Sequence, residues 1–296
     1  MRGVLRVARQ GREREDLIRF EHVYMTYDKL KYALKDVDLT IDDGEFVFVM
    51  GHSGAGKTTF TKLLLREEKV TSGSLFVDKY RLDEIPERQV PFLRRRMGFV
   101  FQDFRLFRNK TVYENVAFAM EILGEPTSEI RKKVPIALEI VGLAGKEKQM
   151  PNALSGGEKQ RLCVARAIVN NPSVIVADEP TGNLDATLAR EIMDLLIKIS
   201  TFGKTVIVVT HAEGLVNQYD KRIIRLGDGE IVEDTKYPGK YGKTDEEKPD
   251  TQEPDEATGQ EAVQKSPFVS GSGNENLSST YTDFDADLSA KEADEE

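Results

Sequence analysis

At 296 residues the chain has room for one large domain or two small ones, and its 39% hydrophobic content is enough for a core. The net charge is −9, yet the stretch from Thr235 onward holds 6 Lys against 16 Asp and Glu, so the acidity belongs to that stretch and residues 1–234 are close to neutral. A single cysteine, Cys163, excludes an internal disulfide and suits a reducing cytosol, and no apolar run approaches the ~18 residues of a spanning helix, so any membrane role comes through a partner.

Residues 1–17 form a basic extension, with five Arg in the first 16 positions and no uninterrupted apolar segment of the signal-peptide kind. They read either as a flexible arm that touches lipid head groups or as an extended or misassigned start ahead of the folded part. Alternation from Ile18 to Tyr27, and again from Leu34 to Ile41, predicts two half-buried strands. Tyr27, just past the first, either stacks on a planar base or closes a sheet edge. Asp43-Gly44 then turns into Phe46-Val47-Phe48-Val49-Met50, a short buried strand.

Gly51-His52-Ser53-Gly54-Ala55-Gly56-Lys57-Thr58-Thr59 follows directly and leads into a helix from Thr59 to Arg66 with Phe60, Leu63 and Leu64 on one side. It fits G-x-x-x-x-G-K-[ST], and strand, loop and helix are in register. Glycines at 51, 54 and 56 let the backbone N–H groups turn inward around an anion, and the helix aims its partial positive end at the same point. Lys57 adds a full charge for outer phosphates, and the Thr58 hydroxyl is a hard oxygen ligand suited to Mg²⁺. A nucleoside triphosphate is the expected ligand, with Gly51, Ser53, Gly54, Gly56, Lys57, Thr58 and Thr59 as its contacts.

Ser74 to Val77 is the next strand, and Val90 to Arg96 reads as a helix on which Arg94-Arg95-Arg96 make a solvated basic face. Met97 to Phe101 is a buried strand ending at Gln102, an amide well placed to reach a metal or a water. Phe104, Leu106 and Phe107 then give an apolar surface beside it. Thr111-Val112-Tyr113-Glu114 fits a capping box that opens a helix through about Leu123. A second helix runs from Glu129 to Val141, ends at Gly142 and contains Pro135. These helices interrupt the strand–helix alternation and predict a helical subdomain over about 104–170.

Leu154-Ser155-Gly156-Gly157-Glu158 leads into a helix to about Val169, with Ser155 as N-cap and glycines that leave the first turn open. Taken alone this is a helix start. Cys163, inside the helix, reads as core packing. Val174-Ile175-Val176-Ala177 is the apolar run of a central parallel strand, and its carboxyl end carries Asp178-Glu179 where ligands sit in open α/β sheets. Asp178 suits Mg²⁺, and Glu179 suits orienting or deprotonating an attacking water. Asn183-Leu184-Asp185 opens an amphipathic helix over 186–200. Lys204 to Thr210 is another buried strand with His211 at its end, in reach of phosphate, and Gly227-Asp228-Gly229 closes a hairpin. Residues 235–296 lose all periodicity and read as a disordered acidic tail, in which Tyr281, Phe284 and Leu288 are either a short binding motif or spacer.

In order and spacing these pieces resemble the ABC-type ATPases across about residues 18–233. In that likeness 51–58 is the phosphate loop, Gln102 the Q-loop residue, 154–158 the signature, 174–179 the second Walker strand, 183–185 the D-loop and His211 the switch histidine. The resemblance implies an α/β P-loop NTPase fold over 18–234, with a RecA-like core, an antiparallel β subdomain and an α-helical signature subdomain. It implies ATP and Mg²⁺ as ligands, Tyr27 on the adenine, and Thr58, Gln102 and Asp178 around the metal. Glu179, His211 and Gln102 would serve hydrolysis, and an ATP-dependent head-to-tail homodimer would bring Ser155 and Gly157 of one chain to the nucleotide of the other. His52, Val90-Pro91-Phe92-Leu93-Arg94-Arg95, Gln102-Asp103, Thr111-Val112-Tyr113 and 177–185 are similar to the cell-division group within the family. That group implies an integral membrane partner, a place on the cytoplasmic face of the membrane and control of cell-wall hydrolysis. Its members usually begin near Ile18 and stop near residue 233. The rival readings are a lipoprotein-release or macrolide-type exporter ATPase, a soluble ABC ATPase acting on DNA, and an acidic scaffold with a vestigial site. One cysteine and a short helical subdomain count against the DNA reading, so no nucleic-acid partner is expected.

Overall fold

The computed structural model describes residues 16–28 and 31–238. Most of the basic extension, the bulk of the acidic tail and the Tyr281, Phe284 and Leu288 motif lie outside the described residues. In chain order the first half comprises β1 (Asp16–Thr26), β2 (Tyr32–Asp42), β3 (Phe46–Gly51), α1 (Lys57–Leu64), β4 (Ser72–Val77), β5 (Tyr80–Arg81), α2 (Val90–Arg95) and β6 (Met97–Val100). The second half comprises α3 (Val112–Glu121), α4 (Thr127–Ile140), α5 (Gly156–Ile168), β7 (Val174–Asp178), α6 (Ala186–Ser200), β8 (Thr205–Thr210), α7 (Glu213–Val216), β9 (Arg222–Gly227) and β10 (Glu230–Asp234).

Two sheets organise these elements. The larger runs β10-β9-β3-β8-β7-β6 and is parallel from β9 to β6, with β10 antiparallel on the edge. The smaller runs β2-β1-β4-β5 and is antiparallel throughout. β3 and β8 are continuous apolar runs because both of their faces are covered. Phe46, Phe48 and Met50 of β3 join the cluster under α3, α4, α5 and α6, whereas Val47 and Val49 join the cluster shared with α1 and the antiparallel sheet. On that second side Phe60 of α1 stacks on Phe20 of β1 with ring centroids 5.0 Å apart. The carboxyl ends of β3, β8, β7 and β6 therefore open on one edge of the sheet, the usual place for ligands in such folds.

Two expectations need correction. Arg94 and Arg95 are exposed, as a solvated basic face requires, but Arg96 is half-buried. Arg94 donates to the Leu65 and Arg66 carbonyls beyond the end of α1, and Arg96 pairs with Asp78 at 2.6 Å. Arg94 thereby satisfies carbonyls that a helix C-terminus leaves orphaned. The helical subdomain shares its core with the sheet, since Val116, Val134 and Leu138 join one apolar cluster with Phe46, Phe48 and Val100. The folded part also passes the expected boundary at Asp234. Thr235 bonds Ile223 in both directions, and Lys236 reaches Asp42 at 2.7 Å and Glu45 at 3.5 Å. α4 continues through Pro135 as one helix.

Candidate nucleotide site

The loop between β3 and α1 takes its shape from its glycines. Gly56 sits at φ 107, and a Cβ there would stand 2.6 Å from the Ala33 carbonyl and 2.8 Å from Leu34. At Gly51 a Cβ would come within 2.5 Å of the Leu226 carbonyl. Neither position accepts a side chain. The loop is braced from outside by the β9–β10 turn, where the Gly229 N–H donates to Ala55 O at 3.2 Å. Lys57, the first residue of α1, directs its ammonium to the Gly51 and His52 carbonyls at 2.7 and 3.1 Å.

A cleft of about 300 Å³ opens here, lined by Ala33, Ser53, Gly54, Gly56, Lys57, Thr58, Thr59, Gln102, Asp178 and Glu179. Three loops from three strands meet in it. Asp178 closes β7, and burial with the adjacent Glu179 charge pushes its carboxyl up to about 6, while Lys57 and Arg105 pull the other way. Glu179 follows in the left-handed region at φ 46, with its N–H on the Val209 carbonyl at 2.8 Å. Its two carboxylate oxygens are both engaged, one 2.7 Å from Nδ1 of His211 and the other accepting from the Thr210 hydroxyl at 3.3 Å. The His211 ring is otherwise exposed. Gln102 enters just past the end of β6, its backbone carbonyl accepting from Asn183 Nδ2 at 2.9 Å.

The donor set suits a hard divalent cation. The Thr58 hydroxyl, the Asp178 carboxylate and the Gln102 amide oxygen share the cleft, and the raised Asp178 carboxyl marks a negative charge that its surroundings leave undercompensated.

Tyr27 lies just past β1 and is 56% exposed, with its hydroxyl 3.3 Å from Thr59 Oγ1 and the Lys62 ammonium 5.7 Å from the ring centroid. Ser155 and Gly157 are not part of the cleft. The Ser155 hydroxyl and backbone form a capping box with Glu158 at the start of α5. Gly157 is buried, and a Cβ on it would meet the end of the Leu188 side chain of α6 at 2.9 Å, so α5 and α6 pack closely at this point. The expected apolar surface after Gln102 is smaller than the sequence suggests. Phe104 and Leu106 pack against the core, and only Phe107 is exposed, with its ring edge-on to Phe118 at 4.5 Å. The sequence marks Thr210 only as a strand end. Its hydroxyl bonds to Glu179 follow from the fold and leave no signal in the local pattern.

Comparison with known protein families matches residues 34–182 to the ABC transporter family. The chain belongs to the ABC transporter ATP-binding family. Membership makes ATP the substrate and its hydrolysis the reaction. This ABC ATPase is 48% identical over 229 residues to the cell division ATP-binding protein FtsE of Bacillus subtilis, which covers 77% of this chain and 100% of that protein. It is 48% identical over 227 residues to FtsE of Mycobacterium tuberculosis (76% and 98% covered) and 43% identical over 215 residues to FtsE of Escherichia coli K12 (73% and 97%). Among solved structures it is similar to the ATP-binding cassette MJ0796, described as a dimeric post-hydrolysis state bound to ADP and Pi. The TM-score is 0.66 at 37% identity, covering 73% of this chain and 97% of the other. It is also similar to cbiO1 of Clostridium perfringens, described as part of the transporter complex cbiONQ, with TM-score 0.70 at 31% identity, covering 74% and 88%. Among the described residues no helix is long and apolar enough to cross a membrane.

Proposed function

We propose that this ABC ATPase is the ATP-hydrolysing subunit of an FtsEX-like cell-division complex, docked on the cytoplasmic face of the membrane by an FtsX-like integral membrane protein that regulates cell-wall hydrolysis. The observation that carries it is the likeness to FtsE proteins over nearly their whole length, joined to a cleft that gathers Lys57, Thr58, Gln102, Asp178 and Glu179.

In this reading Tyr27 covers the adenine, and the loop N–H groups of 51–59 hold the phosphates. Lys57 turns from the Gly51 and His52 carbonyls to the outer phosphates. Thr58, Asp178 and Gln102 would hold Mg²⁺, which supplies charge neutralisation on the phosphates when bound. Water attacks the γ-phosphorus, the bond to the bridging oxygen breaks, and ADP leaves with that oxygen. Glu179 takes the proton of the attacking water. With Nδ1–H on Glu179, a neutral His211 presents an acceptor at Nε2, so the ring must leave Glu179 or carry a second proton before it donates to a phosphate oxygen. Ser155 and Gly157 stand outside the cleft and serve the nucleotide of a second copy in a head-to-tail homodimer. A dimeric description of the cassette MJ0796 supports that arrangement.

Co-purification from solubilised membranes tests the partner. The expected companion is a four-span protein with one external loop domain. Capture of a lipoprotein-release or macrolide-type permease instead would move the chain to the exporter group.

A further inference from the structure

The helix that begins at Ser155 ends beside the loop that carries Gln102. Arg166, in the last turn of α5, donates from Nη2 to the Phe104 carbonyl at 2.8 Å and from Nη1 to the Arg105 carbonyl at 2.6 Å. One turn earlier Cys163 donates its thiol to the same Phe104 carbonyl at 3.1 Å, and burial pushes that thiol up to about 12, which keeps it a donor. The segment being held is unusual. Phe104 and Arg105 are consecutive non-glycine residues in the left-handed region, at φ 59 and φ 47. Such a conformation persists only where the surroundings over-determine it.

The held segment governs what precedes it. The Arg105 N–H closes on the Asp103 carbonyl at 2.6 Å, and its guanidinium lies 3.9 Å over the Phe101 ring, so the chain turns tightly over 103–105 directly after Gln102. Gln102 is thus fixed on one side by Asn183 and on the other by a turn anchored to α5. A guanidinium suits this task because two donors leave it in a fixed fork that spans two neighbouring carbonyls, whereas a lysine ammonium is a single point charge.

We propose that Arg166 is a positioning residue for Gln102, clamping the 103–105 turn to α5 so that Gln102 and the Ser155 end of the same helix move as one body. In the homodimer that rigid link would join the two nucleotides, since Gln102 faces the chain's own cleft and Ser155 faces its partner's. The inference rests on the proposed roles of Gln102 and Ser155.

The test uses the full chain with Arg166→Lys, Gln102→Ala and the double variant. Steady-state turnover, affinity for a fluorescent ATP analogue, melting temperature and amide exchange are read on each. Arg166→Lys is expected to keep nucleotide affinity and melting temperature near those of the parent. Its kcat should fall about tenfold, as for other small displacements of a positioned group. Amides of 103–107 should exchange faster while those of 156–165 do not change. In the Gln102→Ala background the second substitution should lower kcat no further, because both act through one side chain. Parental kcat in Arg166→Lys, unchanged exchange at 103–107, or fully multiplicative losses in the double variant would each overturn the clamp. If Gln102→Ala alone keeps parental kcat, the role given to Gln102 fails, and the exchange at 103–107 still decides whether Arg166 holds the turn. Should Arg166→Lys not fold, Arg166→Gln, which keeps a donor but loses the charge, carries the same comparison.

Discussion

Asp178 shows how a single residue links burial to function. Its carboxyl is pushed up to about 6 because the end of β7 is half-buried and Glu179 adds a like charge. An acid raised in the folded state binds its proton more tightly there than in the unfolded chain. Without a cation its contribution to stability is therefore fully present below the ordinary carboxylate range and is lost as pH rises through about 6. A bound Mg²⁺ needs the ionised form, so below that pH its binding must displace a proton. Mg²⁺-dependent ATP affinity should weaken by up to about tenfold per pH unit below the Asp178 value, on top of the titration of ATP itself. Asp178→Asn removes only the first component. Affinities measured across pH 5–8 for both chains should diverge in slope, and parallel slopes would show that Asp178 does not titrate against the metal.

At the scale of elements, the segment between β6 and α3 divides into a packed and an exposed part, and we propose the exposed part as the contact for the membrane partner. Phe104 is partly buried and packs against the core cluster, while Phe107 is exposed against Phe118. Phe104→Ser should therefore cost about 1–3 kcal/mol of stability, whereas Phe107→Ser should leave the melting temperature nearly unchanged and weaken recovery of the membrane partner. Full recovery by Phe107→Ser would remove this surface from the docking role. The same segment shows where sequence reasoning stops. β3, β7 and β8 were legible because double-sided burial writes an unbroken apolar run, and the capping boxes at Thr111 and Ser155 were legible because their spacing is local. The cleft residues were readable as motifs for the same reason. Contacts such as Arg166 to Phe104, or Thr210 to Glu179, join residues that lie far apart in the chain and share no period, so only the fold reveals them. Arg94 is exposed, as three adjacent arginines suggest, yet only the folded chain puts the end of α1 beside it.

In the whole molecule, the boundary of the folded part has a measurable consequence. Lys236 ties the end of the described chain to Asp42 and Glu45, and Arg222 sits buried between Glu45 and Asp234. Truncation after Pro238 should leave melting and ATP binding unchanged, while truncation after Asp234 should lower the melting temperature by about 2–4 °C. A large drop for the longer fragment would mean that residues 239–296 join the core. The central claim is that the catalytic site is completed by a second copy, since Ser155 and Gly157 lie outside the cleft that holds Lys57 and Glu179. Lys57→Ala removes the charge on the outer phosphates, and Ser155→Arg places a bulky side chain where the other chain's nucleotide must dock. Each variant alone should be nearly inactive. A mixed dimer concentrates both lesions in one site and leaves the other with an intact Lys57 facing an intact Ser155. Phosphate release from the mixture, with subunit exchange verified and wild-type chains mixed with each variant to confirm that a single sound site turns over, should recover a substantial part of the activity. A mixture as inactive as its components under those conditions would contradict a site shared between chains.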